Sequence, residues 1–164
     1  MSVKKSIRVN VSRQQLQCIE DRRIVREFGV STSGRGTGQQ AGSYQTPLGK
    51  HNIRAKIGDG QPPDAVFVGR RPTGEIWTTE LHNTYPDRDW VLTRILWLSG
   101  TEPGFNRLGS VDSMRRYIYI HGTPETEQIG RPVSHGCIRM RSADLLWLYD
   151  WTPVGTEVVI AEDS

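Results

Sequence analysis

The chain has 164 residues, a length that corresponds to one domain with a single hydrophobic core. Hydrophobic residues make up 35% and charged residues 24%, and the formal charge is only +3 with acidic and basic residues interleaved. No Lys/Arg block and no apolar run near the ~20 residues of a membrane helix occurs, so neither a nucleic-acid partner nor a membrane partner is expected.

The first third of the chain predicts strands joined by turns. Apolar and polar residues alternate over residues 7–11, 16–20 and 24–30, which is the two-residue period of a half-buried strand. The glycine-rich residues 33–42 follow, and Thr46-Pro47-Leu48-Gly49 then predicts a turn. Because another strand-like run comes next, and not a helix, the glycine-rich segment is interpreted as a surface loop and not as a phosphate-binding loop. Loops of this kind often flank substrate grooves.

The remainder of the chain predicts further strands and one helix. Strands are expected over residues 51–57, 91–99, 117–120 and 156–161, whereas residues 58–89 are rich in Pro, Gly, Asp and Thr and show no clear pattern. The third of these strands would deliver His121 at its end. We therefore predict one mostly-β domain over residues 1–164 with one packed α-helix near the C-terminus.

That helix has recognisable start and stop signals. Ser142 is predicted to be its N-cap, and Leu145 and Leu148 fall on one face that can pack on the sheet. Pro153 and Gly155 are expected to end it.

The two cysteines lie in different surroundings. Cys18 alternates with apolar neighbours in a predicted strand and is interpreted as a small buried hydrophobic residue. Nothing in the spacing of Cys18 and Cys137 requires a disulfide, so both thiols are expected to be reduced.

Cys137 is a candidate nucleophile because His121 lies in the same segment of the chain. A thiol becomes a competent nucleophile beside an imidazole, and the intervening loop is long enough to bring the two side chains together. Gly136 lets backbone N–H groups approach a substrate carbonyl as an oxyanion hole. The carbonyl of Gly122 can orient the imidazole, as an acidic or amide side chain does in other triads.

The sequences His121-Gly122 and Ser134-His135-Gly136-Cys137-Ile138-Arg139 resemble the signature of the L,D-transpeptidase (YkuD-like) catalytic domain, and the resemblance spans essentially the whole chain. It implies a β-sandwich or barrel-like mixed sheet. It also implies that Cys137 is the nucleophile, His121 the general base and Gly122 the residue that orients it. The residues implied to shape the oxyanion hole and the cysteine loop are Ser134, His135 and Gly136.

Several other polar residues have weaker assignments. Arg139 occupies a position where many family members have Asn, and its cation is a candidate partner for a substrate carboxylate. Arg131 and Arg141 flank the cysteine loop and are either carboxylate binders or solvated charges. His51 and His82 are interpreted as packed or surface residues.

The resemblance implies a peptidoglycan tetrapeptide or muropeptide as substrate, cleaved before its terminal D-alanine through a thioester, with no cofactor. Lys4 and Lys5 are not followed by the apolar run of an export signal, so a cytoplasmic location is expected. In that compartment water is the expected acceptor, which would make the protein an L,D-carboxypeptidase of muropeptide recycling. Transpeptidation to an amine is the alternative.

Two other classes of protein, a zinc hydrolase and a wall-binding module, are alternatives to a cysteine enzyme. A zinc hydrolase would use His121, His135 and Cys137 as ligands, but their spacing is not that of the common zinc motifs, and no metal is expected. A non-catalytic wall-binding module would have the same fold but no need for both Cys137 and His121.

Overall fold

The computed structural model describes residues 3–163, which form a mostly-β mixed sheet, as predicted. Neither helix in this part of the chain is long and apolar enough to cross a membrane. The elements in chain order are β1 (Lys5–Asn10), β2 (Gln15–Glu20), β3 (Arg23–Gly29), β4 (Gly49–Ile57), β5 (Ala65–Val68), β6 (Arg71–Ile76), α1 (Thr79–Thr84), β7 (Val91–Gly100), β8 (Tyr119–Gly122), β9 (Ile138–Met140), α2 (Ser142–Trp151) and β10 (Glu157–Ala161).

The sheet follows the order β3-β2-β1-β10-β4-β7, and β7 then pairs with both β5 and β8. β1 pairs parallel with β10 and β8 parallel with β9, whereas the other pairs are antiparallel. Beyond β3, Ser31 exchanges two backbone hydrogen bonds with Arg139 of β9, each 2.9 Å long. The hydrogen-bonded path therefore returns from β9 to the chain leaving β3, which gives the sheet its barrel-like closure.

The main core lies between this curved sheet and α2. Leu145 and Leu148 of α2 are fully buried against β-strand residues that include Ile7, Leu16 and Cys18. Cys18 is completely buried, as predicted, and desolvation raises the pKa of its thiol to about 12. Trp147 and Trp151 stack on each other at the edge of the same core, with ring centroids 5.7 Å apart.

The predicted cap of α2 and the predicted turn over residues 46–49 both differ from the structure. Helix α2 begins at Ser142, and the N-cap residue is Arg141, which makes no side-chain capping bond. The Ser142 hydroxyl instead accepts a hydrogen bond from Thr93 Oγ1 at 2.8 Å, so tertiary contact replaces the cap. Residues 46–49 form no turn because Gln39 holds them extended, its side-chain amide bonding the backbone N–H and carbonyl of Leu48 at 2.9 and 3.1 Å.

The segment that gave no pattern, residues 58–89, contains the β5–β6 hairpin and the short helix α1. The Thr78 hydroxyl caps α1 by accepting the N–H of Leu81 at 3.1 Å, and none of the α1 residues is buried.

β8 begins at Tyr119, two residues later than predicted, because Tyr117 has a left-handed φ of 57°. It continues through His121 to Gly122, so the histidine lies within the strand.

Candidate active site

The parallel pairing of β8 and β9 brings Cys137 beside the strand that carries His121. In this register Ile120 lies opposite Ile138 and His121 opposite Arg139. Cys137 immediately precedes β9, and its Sγ accepts the N–H of Tyr119 at 3.3 Å. Cys137 and His121 both line one cavity of about 420 Å³. The two residues that the sequence predicts to carry the chemistry therefore share one cavity.

The ring of His121 is oriented by the residue that follows it. Its side chain is buried, and Nδ1 lies 2.8 Å from the carbonyl oxygen of Gly122. Because a carbonyl only accepts, Nδ1 must donate, which leaves Nε2 with its lone pair available. A Cβ at Gly122 would come within 2.5 Å of Thr93 Oγ1, so only glycine fits against β7 here.

Burial lowers the pKa of His121, an effect opposed by the negative charge of Asp89. The imidazole is therefore neutral at rest, as a general base must be.

The Cys137 thiol is at rest in its protonated form. Desolvation raises its pKa to about 12, although the Tyr119 N–H favours the thiolate. Sγ donates to the carbonyl of Tyr117 at 3.4 Å, and within residues 3–163 no hydrogen bond joins Sγ to His121. The thiol proton is therefore held by the Tyr117 carbonyl and not by the imidazole.

Hydroxyl groups hold the loop before Cys137 in a conformation that favours glycine. Gly136 has a φ of 126°, a conformation that residues with a side chain rarely adopt. Ser134 Oγ donates to the Cys137 carbonyl at 2.6 Å and accepts the Gly136 N–H at 3.3 Å. Thr46 Oγ1 donates to the Gly136 carbonyl at 2.9 Å and accepts the N–H of Ser33 at 3.0 Å. Ser134 thus bridges the two ends of the Gly136–Cys137 segment, and the Gly136 amide is engaged within the loop.

Arg139 is committed to ion pairs inside the protein. Its side chain is 8% exposed and lies 3.0 Å from Asp89 Oδ1 and 3.4 Å from Glu125 Oε2. The other Asp89 oxygen is 3.5 Å from Nδ1 of His135, which is exposed and lines the cavity. Arg139 is therefore paired with Asp89 and Glu125 and does not line the cavity that holds Cys137, so its geometry gives no support to the predicted contact with a substrate carboxylate. Asp89 was not identified from the sequence.

The flanking arginines and the other histidines lie away from the cysteine. Arg131 and Arg141 are exposed, but neither lines the cavity, so their geometry gives no support to a carboxylate-binding role. His51 is fully buried, and His82 stacks on Trp90 with ring centroids 5.7 Å apart, as expected for packed residues.

The Arg116 side chain holds the glycine-rich loop beside the cavity by hydrogen bonds. This role was not predicted from the sequence. Its guanidinium donates to the carbonyls of Gly38, Gln39 and Gln45 at 3.2, 3.3 and 2.6 Å. Residues 41, 42 and 44 consequently line the cavity beside Cys137, so this loop does flank the groove. The nearest sequence signal was the position of Arg116 just before the strand that carries His121.

Across residues 3–163, no three His, Cys, Asp or Glu side chains converge in an arrangement that could hold a metal ion. His121, His135 and Cys137 share the cavity without forming such a group.

Comparisons with known proteins identify the family of this chain. The sequence model of the L,D-transpeptidase catalytic domain (YkuD) matches residues 4–160. A Salmonella typhimurium protein named "Probable L,D-transpeptidase ErfK/SrfK" is 34% identical over 132 residues, which cover 73% of this chain and 40% of that protein. The chain therefore spans less than half the length of this curated relative.

Solved structures share the fold at low sequence identity. An L,D-transpeptidase from Mycobacterium smegmatis superposes with a TM-score of 0.58 at 18% identity, covering 98% of this chain and 59% of that one. L,D-transpeptidase 3 from Mycobacterium tuberculosis, in complex with a faropenem-derived adduct, gives a TM-score of 0.59 at 17% identity, covering 98% and 61%. With the family match extending over nearly all of its residues, the chain belongs to the L,D-transpeptidase (YkuD) catalytic domain family.

Proposed function

We propose that this chain is a peptidoglycan acyltransferase that uses Cys137 to cleave the amide bond before the terminal D-alanine of a stem tetrapeptide. The acyl group then passes to an amine, which makes the activity an L,D-transpeptidation. The observation that carries the proposal is the shared cavity of Cys137 and a neutral His121 whose Nδ1 is held by the Gly122 carbonyl.

In the first half-reaction the Cys137 proton moves to Nε2 of His121 while the sulfur forms a bond to the substrate carbonyl carbon. The carbonyl oxygen gains negative charge, and the backbone N–H of Cys137 is the donor that we assign to it. The Gly136 amide is a second donor only if it leaves Ser134 Oγ. The C–N bond then breaks, and D-alanine leaves as an amine after taking the proton from His121, so that a thioester remains on Cys137.

In the second half-reaction an acceptor loses a proton to His121 and attacks the thioester carbonyl. Its new bond replaces the C–S bond, and the proton returns from the imidazole to sulfur. An amine acceptor gives a cross-link or an exchanged D-amino acid, whereas water gives the L,D-carboxypeptidase reaction expected from the sequence. Membership of a family of transpeptidases favours the amine.

Mass spectrometry of purified protein incubated with a stem tetrapeptide, with and without excess D-methionine, tests the proposal. A D-methionine-exchanged tetrapeptide, absent with the Cys137→Ala variant and retained with Cys18→Ala, is the expected product. Tripeptide as the dominant product even with D-methionine present would instead establish hydrolysis. Turnover that survives in Cys137→Ala would refute the assignment of the nucleophile.

A penem probe separates an enzyme from a wall-binding module. A fold relative forms a complex with a faropenem-derived adduct. We expect faropenem to add mass to the wild-type protein and to the Cys18→Ala variant but not to Cys137→Ala. If the wild-type protein binds wall fragments but gains no mass from faropenem and turns over no tetrapeptide, it is a binding module.

A further inference from the structure

The Arg116 side chain joins the two arms of the loop over residues 36–46, which we call the wall loop because its residues 41, 42 and 44 line the cavity that holds Cys137. Arg116 Nη1 donates to the carbonyls of residues 38 and 39 in the first arm. Nη2 donates to the carbonyl of Gln45 at 2.6 Å and to the hydroxyl of Ser43 at 3.3 Å in the second arm. One guanidinium therefore fixes the spacing of both arms from a third segment of the chain.

The conformation of the wall loop depends on tertiary contacts of this kind. Backbone hydrogen bonds between Thr46 and residues 36 and 38, at 3.1 and 3.0 Å, close its base. At its tip Gly42 and Tyr44 have left-handed φ angles of 79° and 59°, and this conformation is costly for a tyrosine unless the surrounding structure imposes it. The four hydrogen bonds of Arg116 lie between the base and the tip, so they are placed to hold the part of the loop that faces the cavity.

The four side-chain hydrogen bonds of Arg116 go to neutral oxygens, three carbonyls and one hydroxyl. Because the side chain is half-buried, desolvation lowers the pKa of Arg116, so this place does not favour a charge for its own sake. What a guanidinium supplies is geometry, since its donors form a rigid planar fork that reaches acceptors on both arms at once. A lysine ammonium has the same charge on one nitrogen and cannot span the two arms in this way.

Two residues of the second arm connect Arg116 to the loop that carries Cys137. The Gln45 carbonyl, which accepts from Arg116, lies 3.4 Å from the position that a Cβ on Gly136 would occupy. The next residue, Thr46, donates through Oγ1 to the Gly136 carbonyl at 2.9 Å. Gly136 directly precedes Cys137, whose backbone N–H we assign to the developing oxyanion. A shift of the second arm would therefore be transmitted to that N–H through Gly136.

We propose that Arg116 is a positioning residue for acyl transfer, which acts through the wall loop on the backbone of Gly136 and Cys137. Its kinetic consequences rest on the proposed function, whereas the hydrogen-bonded path can be tested without turnover. The role requires the guanidinium fork and not the positive charge alone. Because that charge also lowers the pKa of Cys137, the two effects have to be measured separately.

Two reagents that modify Cys137 separate positioning from charge. With iodoacetamide the sulfur displaces iodide at a saturated carbon and no oxyanion forms, so the rate reports the thiolate. Faropenem is attacked at its lactam carbonyl, so its rate depends also on the backbone N–H of Cys137. In Arg116→Lys, which keeps the charge but not the fork, we expect faropenem acylation to slow about tenfold and alkylation to change less than about twofold.

The matched control is Arg22→Lys, an exposed arginine in the turn between β2 and β3, and both of its rates should equal those of wild type. Wild-type acylation by faropenem in Arg116→Lys would overturn the proposal, because the charge alone would then suffice. Equal slowing of acylation and alkylation would overturn it too, since the thiol itself would then be affected.

A double-mutant cycle with Thr46→Val tests the path from Arg116 to Gly136. The valine removes the hydroxyl that holds the Gly136 carbonyl. If Arg116 acts through this hydroxyl, Arg116→Lys/Thr46→Val should be acylated no more than about twofold more slowly than the slower single variant. Multiplication of the two single effects would mean that Arg116 acts by another route, and the proposal would be wrong.

Amide hydrogen exchange measures the wall loop without any reaction. The N–H groups of Ala41 and Thr46 are hydrogen-bonded, so they should be protected in wild type and exchange about tenfold faster in Arg116→Lys, with smaller changes in β1 and β10. Unchanged exchange in the wall loop would overturn the positioning role. If the variant does not fold, a lack of protection of these two amides in the wild-type protein would do so.

The two proposals fail in different ways. If the wild-type protein turns over no stem tetrapeptide, the proposed acyl transfer is refuted, while hydrogen exchange still decides whether Arg116 holds the wall loop. If turnover occurs but Arg116→Lys exchanges and reacts like wild type, the acyl transfer stands and the positioning role is refuted.

Discussion

Acidification is expected to destabilise the protein through His51, a buried histidine outside the catalytic cavity. Its side chain is fully buried, with Nδ1 3.1 Å from the carbonyl of Gly49 and Nε2 2.8 Å from Ser113 Oγ. Nδ1 must donate to the carbonyl, so Nε2 accepts from the serine hydroxyl. A second ring proton, on Nε2, would require the Ser113 hydroxyl to change from donor to acceptor, and desolvation lowers the pKa of His51 from 6.5 to about 4.

The sign and size of the effect follow from proton linkage. Between about pH 6.5 and pH 4 the unfolded chain binds a proton at His51 that the folded protein does not, so the free energy of unfolding falls as pH falls. The whole shift corresponds to roughly 3 kcal/mol, most of which is expressed between pH 7.5 and pH 4.5. The stability is fully present above the unfolded pKa.

Urea unfolding at these two pH values, for wild type and for His51→Gln, isolates the contribution. Buried His121 shifts stability in the same direction but is common to both proteins, so the difference between their pH dependences reports His51 alone. We expect the variant to lose roughly 2–3 kcal/mol less than wild type over this interval. Equal losses would refute the reasoning. If the variant does not fold, NMR can follow the titration of His51 in the wild-type protein. A titration midpoint above pH 5.5 would then refute the reasoning.

Three further predictions concern the cysteine loop and the core. Thr46→Val removes the hydroxyl that holds the Gly136 carbonyl and should cost about 1–3 kcal/mol in urea unfolding and lower kcat more than KM. Gly136→Ala places a side chain at a φ of 126° and should abolish tetrapeptide turnover, while circular dichroism shows a folded protein. Cys18→Ala leaves a small cavity in the core and should cost about 1–2 kcal/mol in the same unfolding assay without slowing faropenem acylation of Cys137.

The parts of the fold that depend on local pattern were predictable from the sequence. Alternating burial in β1 and β2, the long buried β7 and the buried face of α2 all follow from residues adjacent in the chain. The β5–β6 hairpin and α1 were not, because their strands are short or exposed and their turns are rich in glycine and proline. In these elements tertiary pairing, and not periodicity, selects the structure.

The candidate site divides in the same way. His121 and Cys137 were identified because their residue types and motif carry a chemical meaning that needs no three-dimensional information. The partners of Arg139 were not, since Asp89 is 50 residues away in the sequence and its position depends on how the chain enters β7. Arg139 was consequently assigned to the substrate, although the fold had already supplied its counter-charges.

Asp89 and the Gly122 carbonyl act on His121 in different ways. The Gly122 carbonyl fixes the tautomer of His121 but carries no net charge, whereas the Asp89 carboxylate favours protonation of both His121 and Cys137, because its negative charge raises the pKa of each. Proton transfer from sulfur to nitrogen leaves the total charge of the pair unchanged, so these two influences largely oppose each other during attack. The effects of Asp89 on the two pKa values act in the same direction only when the Cys137–His121 pair loses a proton to solvent. In the mechanism that we propose, Asp89 would therefore help to retain the shared proton within the site until it passes to the departing amine.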